Sequence, residues 1–184
     1  MTSHLSHPPI LALGYSEAAM FLRTPAGATV RALISIHGAN EHGVEAEMPR
    51  LDLTFDDIAA PDPADIVASY QARMRQQADA ENGVFRRPPT PEDAEKIIRF
   101  AESTCHLEGM LLCHCGGGIS RAPAAALLCL AVWTGPGAEV YCVDYMRKLR
   151  AGAFPHDDLI RFGDQILGRG GRLVEALRFA VNKR

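Results

Sequence analysis

The chain has 184 residues, 47% of them hydrophobic, 7% aromatic and 22% charged, which suits one globular domain with a sizeable core. Its formal net charge is −3, so overall electrostatics give no footing for nucleic acid or an anionic membrane surface. No apolar stretch approaches the roughly 20 residues of a membrane span. The polar, His-rich residues 1–9 carry no secretory pattern and read as a flexible tail. Five cysteines without disulfide-scaffold spacing read as reduced thiols of a cytoplasmic protein.

Residues 10–13 and 30–36 are β-branched and aliphatic runs that read as strands, with a short helix at 16–23 between them and Ser16 as its N-cap. Leu51, Leu53 and Phe55 alternate with polar residues, the pattern of a strand with one buried face. Residues 59–89 are the least regular part. Pro61, Pro63, Pro88 and Pro89 bracket a polar helical piece at 64–80. Thr90 then caps a helix, Pro91 suits its first position, and Glu92 and Asp93 suit the positive end of its dipole. Ala94, Ile97, Ile98 and Ala101 continue it at helical spacing.

Residues 110–113 read as a buried strand that runs into three glycines and an apolar helix over 121–133, with Pro123 in its first turn. Gly135-Pro136-Gly137 stops that helix, and Trp133 packs at its end. The remainder reads as two or three helices divided at 151–155 and 168–171. Strands alternating with helices predict an α/β fold: a central, mostly parallel sheet with helices on both faces.

The segment His114-Cys115-Gly116-Gly117-Gly118-Ile119-Ser120-Arg121 joins strand to helix. Glycines let the backbone curl so that successive amides point into one concavity. The helix N-terminus adds its unpaired amides and the positive end of its dipole. Arg121 supplies a planar fork for two phosphate oxygens. Residues 116–121 thus form a cradle for a phosphoryl dianion. The same positive field favours a thiolate at Cys115, the form that attacks phosphorus. Ser120 is placed to donate a hydrogen bond to that sulfur.

His114-Cys115, five intervening residues and Arg121 resemble the signature of the protein tyrosine phosphatase superfamily. Ile119-Ser120-Arg121 followed by a small residue resembles its dual-specificity branch, and the small predicted bacterial tyrosine phosphatases are the most similar group. The resemblance extends weakly over residues 34–55 and 163–177. Because small family members connect the flanking elements by a shorter loop, it implies that residues 59–89 are an insertion. It implies a cysteine-phosphatase-like fold and hydrolysis of phosphomonoesters through a phosphocysteine, with no metal and no cofactor. Phosphorylated proteins or small phosphoesters are the implied substrates. It also implies that His114 fixes the loop by hydrogen bonds.

Two departures stand out. The family often carries alanine where Gly117 stands. Its phosphoinositide phosphatases carry lysines in this loop and this chain has none, which counts against inositol lipids.

In the superfamily an aspartate on a separate loop protonates the leaving group. The strand ending at Asp56-Asp57 resembles the segment that carries it, and that register favours Asp57. If the alternation of Leu51, Leu53 and Phe55 persists, Asp57 shares their side and Asp56 the other.

Cys113 lies two residues before Cys115 and reads as a structural thiol in preference to a redox relay. His37 and His42 lack metal-ligand spacing and read as loop residues. A rhodanese-like sulfur transferase and a non-catalytic phosphate- or phosphoprotein-binding module are the alternative functions.

Overall fold

The computed structural model describes residues 7–61 and 64–181. Strands β1 (Ile10–Gly14), β2 (Val30–His37), β3 (Arg50–Thr54) and β4 (Met110–Cys115) form one sheet in the order β1-β4-β2-β3. All its neighbours pair in parallel. Such a sheet has to be covered on both faces, and the side-chain alternation shows how. Ala32, Ile34 and Ile36 of β2 and Leu111, Cys113 and Cys115 of β4 enter one apolar core, while Leu33 and Leu112 enter a second, smaller one.

The two faces are covered unequally. The larger core takes residues of α3 (Pro91–Thr104), α4 (Arg121–Thr134), α5 (Glu139–Leu149), α6 (Asp157–Ile166) and α7 (Arg172–Val181). Over the smaller core, among the described residues, lie only the short α1 (Tyr15–Phe21) with Leu22 after it and the irregular segment carrying Val44, Ala46 and Met48. Helix α4 is buried without a break from Arg121 to Ala131 and lies against β1, β2 and β4. Its apolar character on every side is what such a central position requires.

Local chemistry sets the helix starts. Helix α1 begins two residues earlier than a Ser16 cap predicts. Gly14 stands at its N-cap, and the Glu17 carboxylate accepts from the Gly14 amide at 2.7 Å, so no hydroxyl is needed. Thr90 stands at the N-cap of α3 as expected, and Asp93 Oδ2 accepts from its amide at 2.9 Å.

The helical piece expected at 64–80 is α2 (Ile66–Glu81), capped by Asp65, whose Oδ1 accepts from the Ala68 amide at 2.9 Å. No residue of α2 is buried, and Ile66 is 81% exposed. Two residues of the expected insertion, 62 and 63, lie outside the described residues, as do residues 1–6 of the expected tail. His7 packs against the rings of Trp133, Tyr141 and Tyr145 and shares a 3.0 Å hydrogen bond with the Tyr141 hydroxyl.

Gly14, His37, Thr54 and Cys115 all end their strands at one edge of the sheet. In parallel sheets the crevice outside this carboxyl edge is where ligands bind.

Candidate active site

Cys115 is the last residue of β4, 3% exposed, and its sulfur accepts from the Gly118 amide at 3.3 Å. The loop that follows is shaped by what holds its carbonyls. Gly116 O accepts from the Tyr15 amide at 3.0 Å and Gly117 O from Arg150 Nη2 at 3.3 Å. Ile119 O accepts from the Phe154 amide at 2.7 Å, and Ser120 O from the Ala124 and His156 amides. A carbonyl and the next amide share one trans peptide and point opposite ways. Turning these four carbonyls outward therefore turns the amides of Gly117, Gly118, Ser120 and Arg121 to the inner side. Arg150 is itself fixed by Glu17 at 2.8 Å, and its guanidinium and the Gly14 amide hold the Glu17 carboxyl below the usual carboxylate range.

Gly118 has φ +67, a conformation L side chains rarely adopt, and a Cβ there would overlap the backbone of Leu13 and Gly14. The loop therefore folds directly onto the end of β1. Gly117 has no such restriction: a Cβ there meets only Ile119 carbons, at 3.8 and 3.9 Å.

The Arg121 side chain is nearly buried. Its Nη1 donates to Phe55 O at 2.9 Å and lies 3.5 Å from Glu41 Oε2. Its buried Nε has no hydrogen-bond partner among the described residues. The guanidinium is thus anchored through one nitrogen, and Nε remains as a donor for an anion. The Glu41 carboxylate is held in turn by the Gly38 amide at 2.8 Å. The bare Gly116 admits both groups: Arg121 Nη2 and Glu41 Oε1 lie 3.4 Å from where its Cβ would stand.

The two aspartates after β3 part company. Asp56 exchanges two hydrogen bonds with the backbone of Arg87: its amide donates to Arg87 O at 2.8 Å, and its Oδ2 accepts from Arg87 N at 3.0 Å. Arg87 is clamped by the buried Asp93 through both guanidinium nitrogens, at 2.6 and 3.0 Å. Burial pushes the Asp93 carboxyl up, but Arg87 and the Thr90 amide outweigh it and keep the group low. Asp56 is thereby committed to structure. Asp57 instead meets the cysteine loop, its Oδ1 accepting from Ser120 Oγ at 2.6 Å. Ser120, expected to serve the sulfur, serves this carboxylate, and the sulfur takes a backbone amide in its place.

His114 lies on the smaller-core face of β4, 1% exposed, and its Nε2 accepts from the Val44 amide at 3.2 Å. Its proton therefore sits on Nδ1. Burial pushes its pKa down to about 4, so the ring is neutral near pH 7. What His114 fixes is the neighbouring segment that carries Glu41. His37 and His42, read from sequence as loop residues, line a cleft of about 290 Å³ beside Cys115 with Tyr15 and Glu41. Cys113 is wholly buried, and burial beside Cys129 holds its thiol well above the ordinary range, so it stays protonated. Among the described residues no group of His, Cys, Asp and Glu is arranged to hold a metal.

Sequence reasoning missed Glu41, Glu17, Arg150 and His156. Each acts across a long sequence separation, with nothing around it in the chain to mark it.

No protein-family model matches the chain. No curated protein matches its sequence. Solved structures do resemble it. Tk-PTP in its active form is 14% identical, over 89% of this chain and 93% of its own, with a TM-score of 0.53. PTPMT1 in complex with PI(5)P is 15% identical over 91% and 97%, with a TM-score of 0.50. The Yvh1 phosphatase domain from Chaetomium thermophilum is 16% identical over 89% and 92%, also with a TM-score of 0.50. The chain therefore carries the α/β fold that these phosphatase structures share.

Proposed function

We propose that this chain is a cysteine-dependent phosphomonoester hydrolase acting on phosphorylated protein, on phosphotyrosine or with dual specificity. The observation that carries the reading is the loop after β4: its carbonyls are tied outward, and Cys115, Arg121 and Asp57 converge on it.

The Cys115 thiolate attacks phosphorus while the bond from phosphorus to the ester oxygen breaks. Asp57 gives its proton to that leaving oxygen. The loop amides and Arg121 hold the equatorial oxygens as charge builds on them. In the second step water attacks the phosphocysteine, the Asp57 carboxylate takes the water's proton, and the sulfur leaves as thiolate. Inorganic phosphate is released and every group returns to its starting state. The chemistry asks for no metal or cofactor.

The loop has no lysine and Glu41 stands beside Arg121, which favours a phosphorylated side chain over a polyphosphorylated inositol lipid. All five cysteines are free thiols, which fits a reducing, cytoplasmic setting. No helix among the described residues is long and apolar enough to cross a membrane.

The test is a screen of phosphopeptides, inositol phosphates and aryl phosphates with wild type and Cys115→Ser, alongside thiosulfate with cyanide as acceptor. The reading expects phosphopeptide hydrolysis that Cys115→Ser abolishes. Sulfur transfer without hydrolysis would identify a rhodanese-like transferase, and tight phosphopeptide binding without turnover would identify a binding module.

A further inference from the structure

The residues after β3 are held one after another. Phe55 O takes Arg121, Asp56 takes the Arg87 backbone, and Asp57 takes Ser120. Beyond Asp57 the holding groups come from the start of α6: its N-cap residue His156 and Asp158 in its first turn. His156 Nε2 lies 3.1 Å from Ile58 O. Asp158 Oδ2 accepts from the Ala60 amide at 2.7 Å. Ile58 O can only accept, so His156 Nε2 carries the proton and donates it. His156 is 8% exposed, and its Nε2 also lies 3.9 Å from Asp57 Oδ1. Its own amide donates to Ser120 O, in the cysteine loop. One residue thus grips both halves of the site: its backbone holds the phosphate cradle and its side chain holds the segment bearing the acid.

The Asp57 carboxylate is half exposed and makes one short hydrogen bond, to Ser120. Among the described residues the Asp57 backbone forms no hydrogen bond, so it is held through the neighbours on either side. The Arg87 pairing fixes the side before it, and His156 with Asp158 fixes the side after it.

We propose that His156 is a positioning residue for the general acid, with Asp158 as its accessory. By donating to Ile58 O, His156 sets the distance between Asp57 and an ester oxygen held in the loop. This rests on the reading of Asp57 as the acid. The contacts of the His156 side chain are with Ile58 O and Asp57 rather than with the Cys115 sulfur, so its effect should be confined to steps that need the proton.

The measurement is kcat/KM on aryl phosphates of graded leaving-group acidity, which reports phosphorus–oxygen cleavage. His156→Phe keeps a ring and removes the donor. His156→Gln places an amide nitrogen near the position of Nε2 and restores a donor for Ile58 O. His156→Phe should lose roughly tenfold on a poor leaving group and almost nothing on an activated one. His156→Gln should recover most of the loss. Asp158→Ala should show the same selective pattern in smaller degree, and it carries the test should His156→Phe fail to fold.

An equal loss on both esters, no loss on the poor one, or His156→Gln as slow as His156→Phe would overturn the proposal. Asp57→Asn run alongside separates the two readings. If Asp57→Asn shows the selective loss and the His156 and Asp158 variants do not, the positioning role alone falls. If Asp57→Asn shows no selective loss, the acid assignment falls first.

Discussion

Two adjacent glycines of the cysteine loop should respond very differently to one added methyl. At Gly118 the backbone sits at φ +67, where an L residue is disfavoured by about 1–2 kcal/mol. Its new Cβ would also overlap the main chain of Leu13 and Gly14, which the β1–β4 pairing holds in place. Main chain in a sheet does not yield as a side chain does, and overpacking of this kind costs about 1–3 kcal/mol more. Gly118→Ala should therefore destabilise by about 2–5 kcal/mol, or roughly 5–15 °C in Tm for a chain of this size. Activity should fall further still, because the Gly118 amide is the donor to Cys115 sulfur. Gly117→Ala meets only carbons of Ile119 at van der Waals distance, so its stability should stay within about 0.5 kcal/mol of wild type. The assay is urea unfolding together with kcat/KM on an aryl phosphate. Gly118→Ala matching wild type in both, or Gly117→Ala failing as badly, would refute the loop geometry.

Asp57→Asn should lower kcat/KM by ~10²–10⁴-fold on an ester with a poor leaving group and much less on an activated one, whereas Asp56→Asn, which keeps an acceptor for the Arg87 amide, should leave the rate near wild type. Measured slowing in Asp56→Asn alone would transfer the role. His114 is held near 4 in the folded chain against an ordinary value of 6.5, so the unfolded chain binds the extra proton between those limits. Its contribution is whole above pH 6.5 and is lost as pH falls towards 4, by up to about 3 kcal/mol. His114→Gln, with an acceptor for the Val44 amide and no titrating ring, should flatten that part of the stability profile; an unchanged slope would place the titration elsewhere. Ile66 and Tyr70 of α2 are 81% and 63% exposed, so replacing both with lysine should move Tm by no more than about 2 °C, and a larger fall in a thermal melt would mean that α2 packs on something.

What was legible in the sequence was local. The strand runs, the Thr90-Pro91 helix start and the glycine loop between β4 and α4 each carry their signal within a few residues. The loop could be read as an anion cradle because glycines, arginine and helix start are consecutive. The alternation that favoured Asp57 over Asp56 would have to run past Thr54, where β3 ends; what parts the two carboxylates is the Arg87 backbone, which takes Asp56, and Ser120, which takes Asp57.

What escaped was the set of partners. Ser120 has a hydroxyl that suits either the sulfur or a carboxylate, and only the arrival of β3 beside the loop decides for Asp57. Glu41 sits in an ordinary polar turn until β2 brings that turn to Arg121. His156 precedes α6 as an unremarkable polar residue, yet it lies 98 positions from the carbonyl it meets. The thin cover over the second face of the sheet was also invisible, because Val44, Ala46 and Met48 have no period that marks an extended segment as packing material.

The claim on which the rest depends is that Cys115 carries the phosphoryl group. Rapid acid quench of the wild-type protein with an activated aryl phosphate, followed by peptide mass spectrometry, tests it directly. The account predicts one phosphoryl group on the peptide containing Cys115, formed with a burst of phenol equal to the protein present. It also predicts no label and no burst in Cys115→Ser, and retention of both in Cys113→Ser. A phosphoryl group on any other residue, or steady turnover by Cys115→Ser, would contradict it.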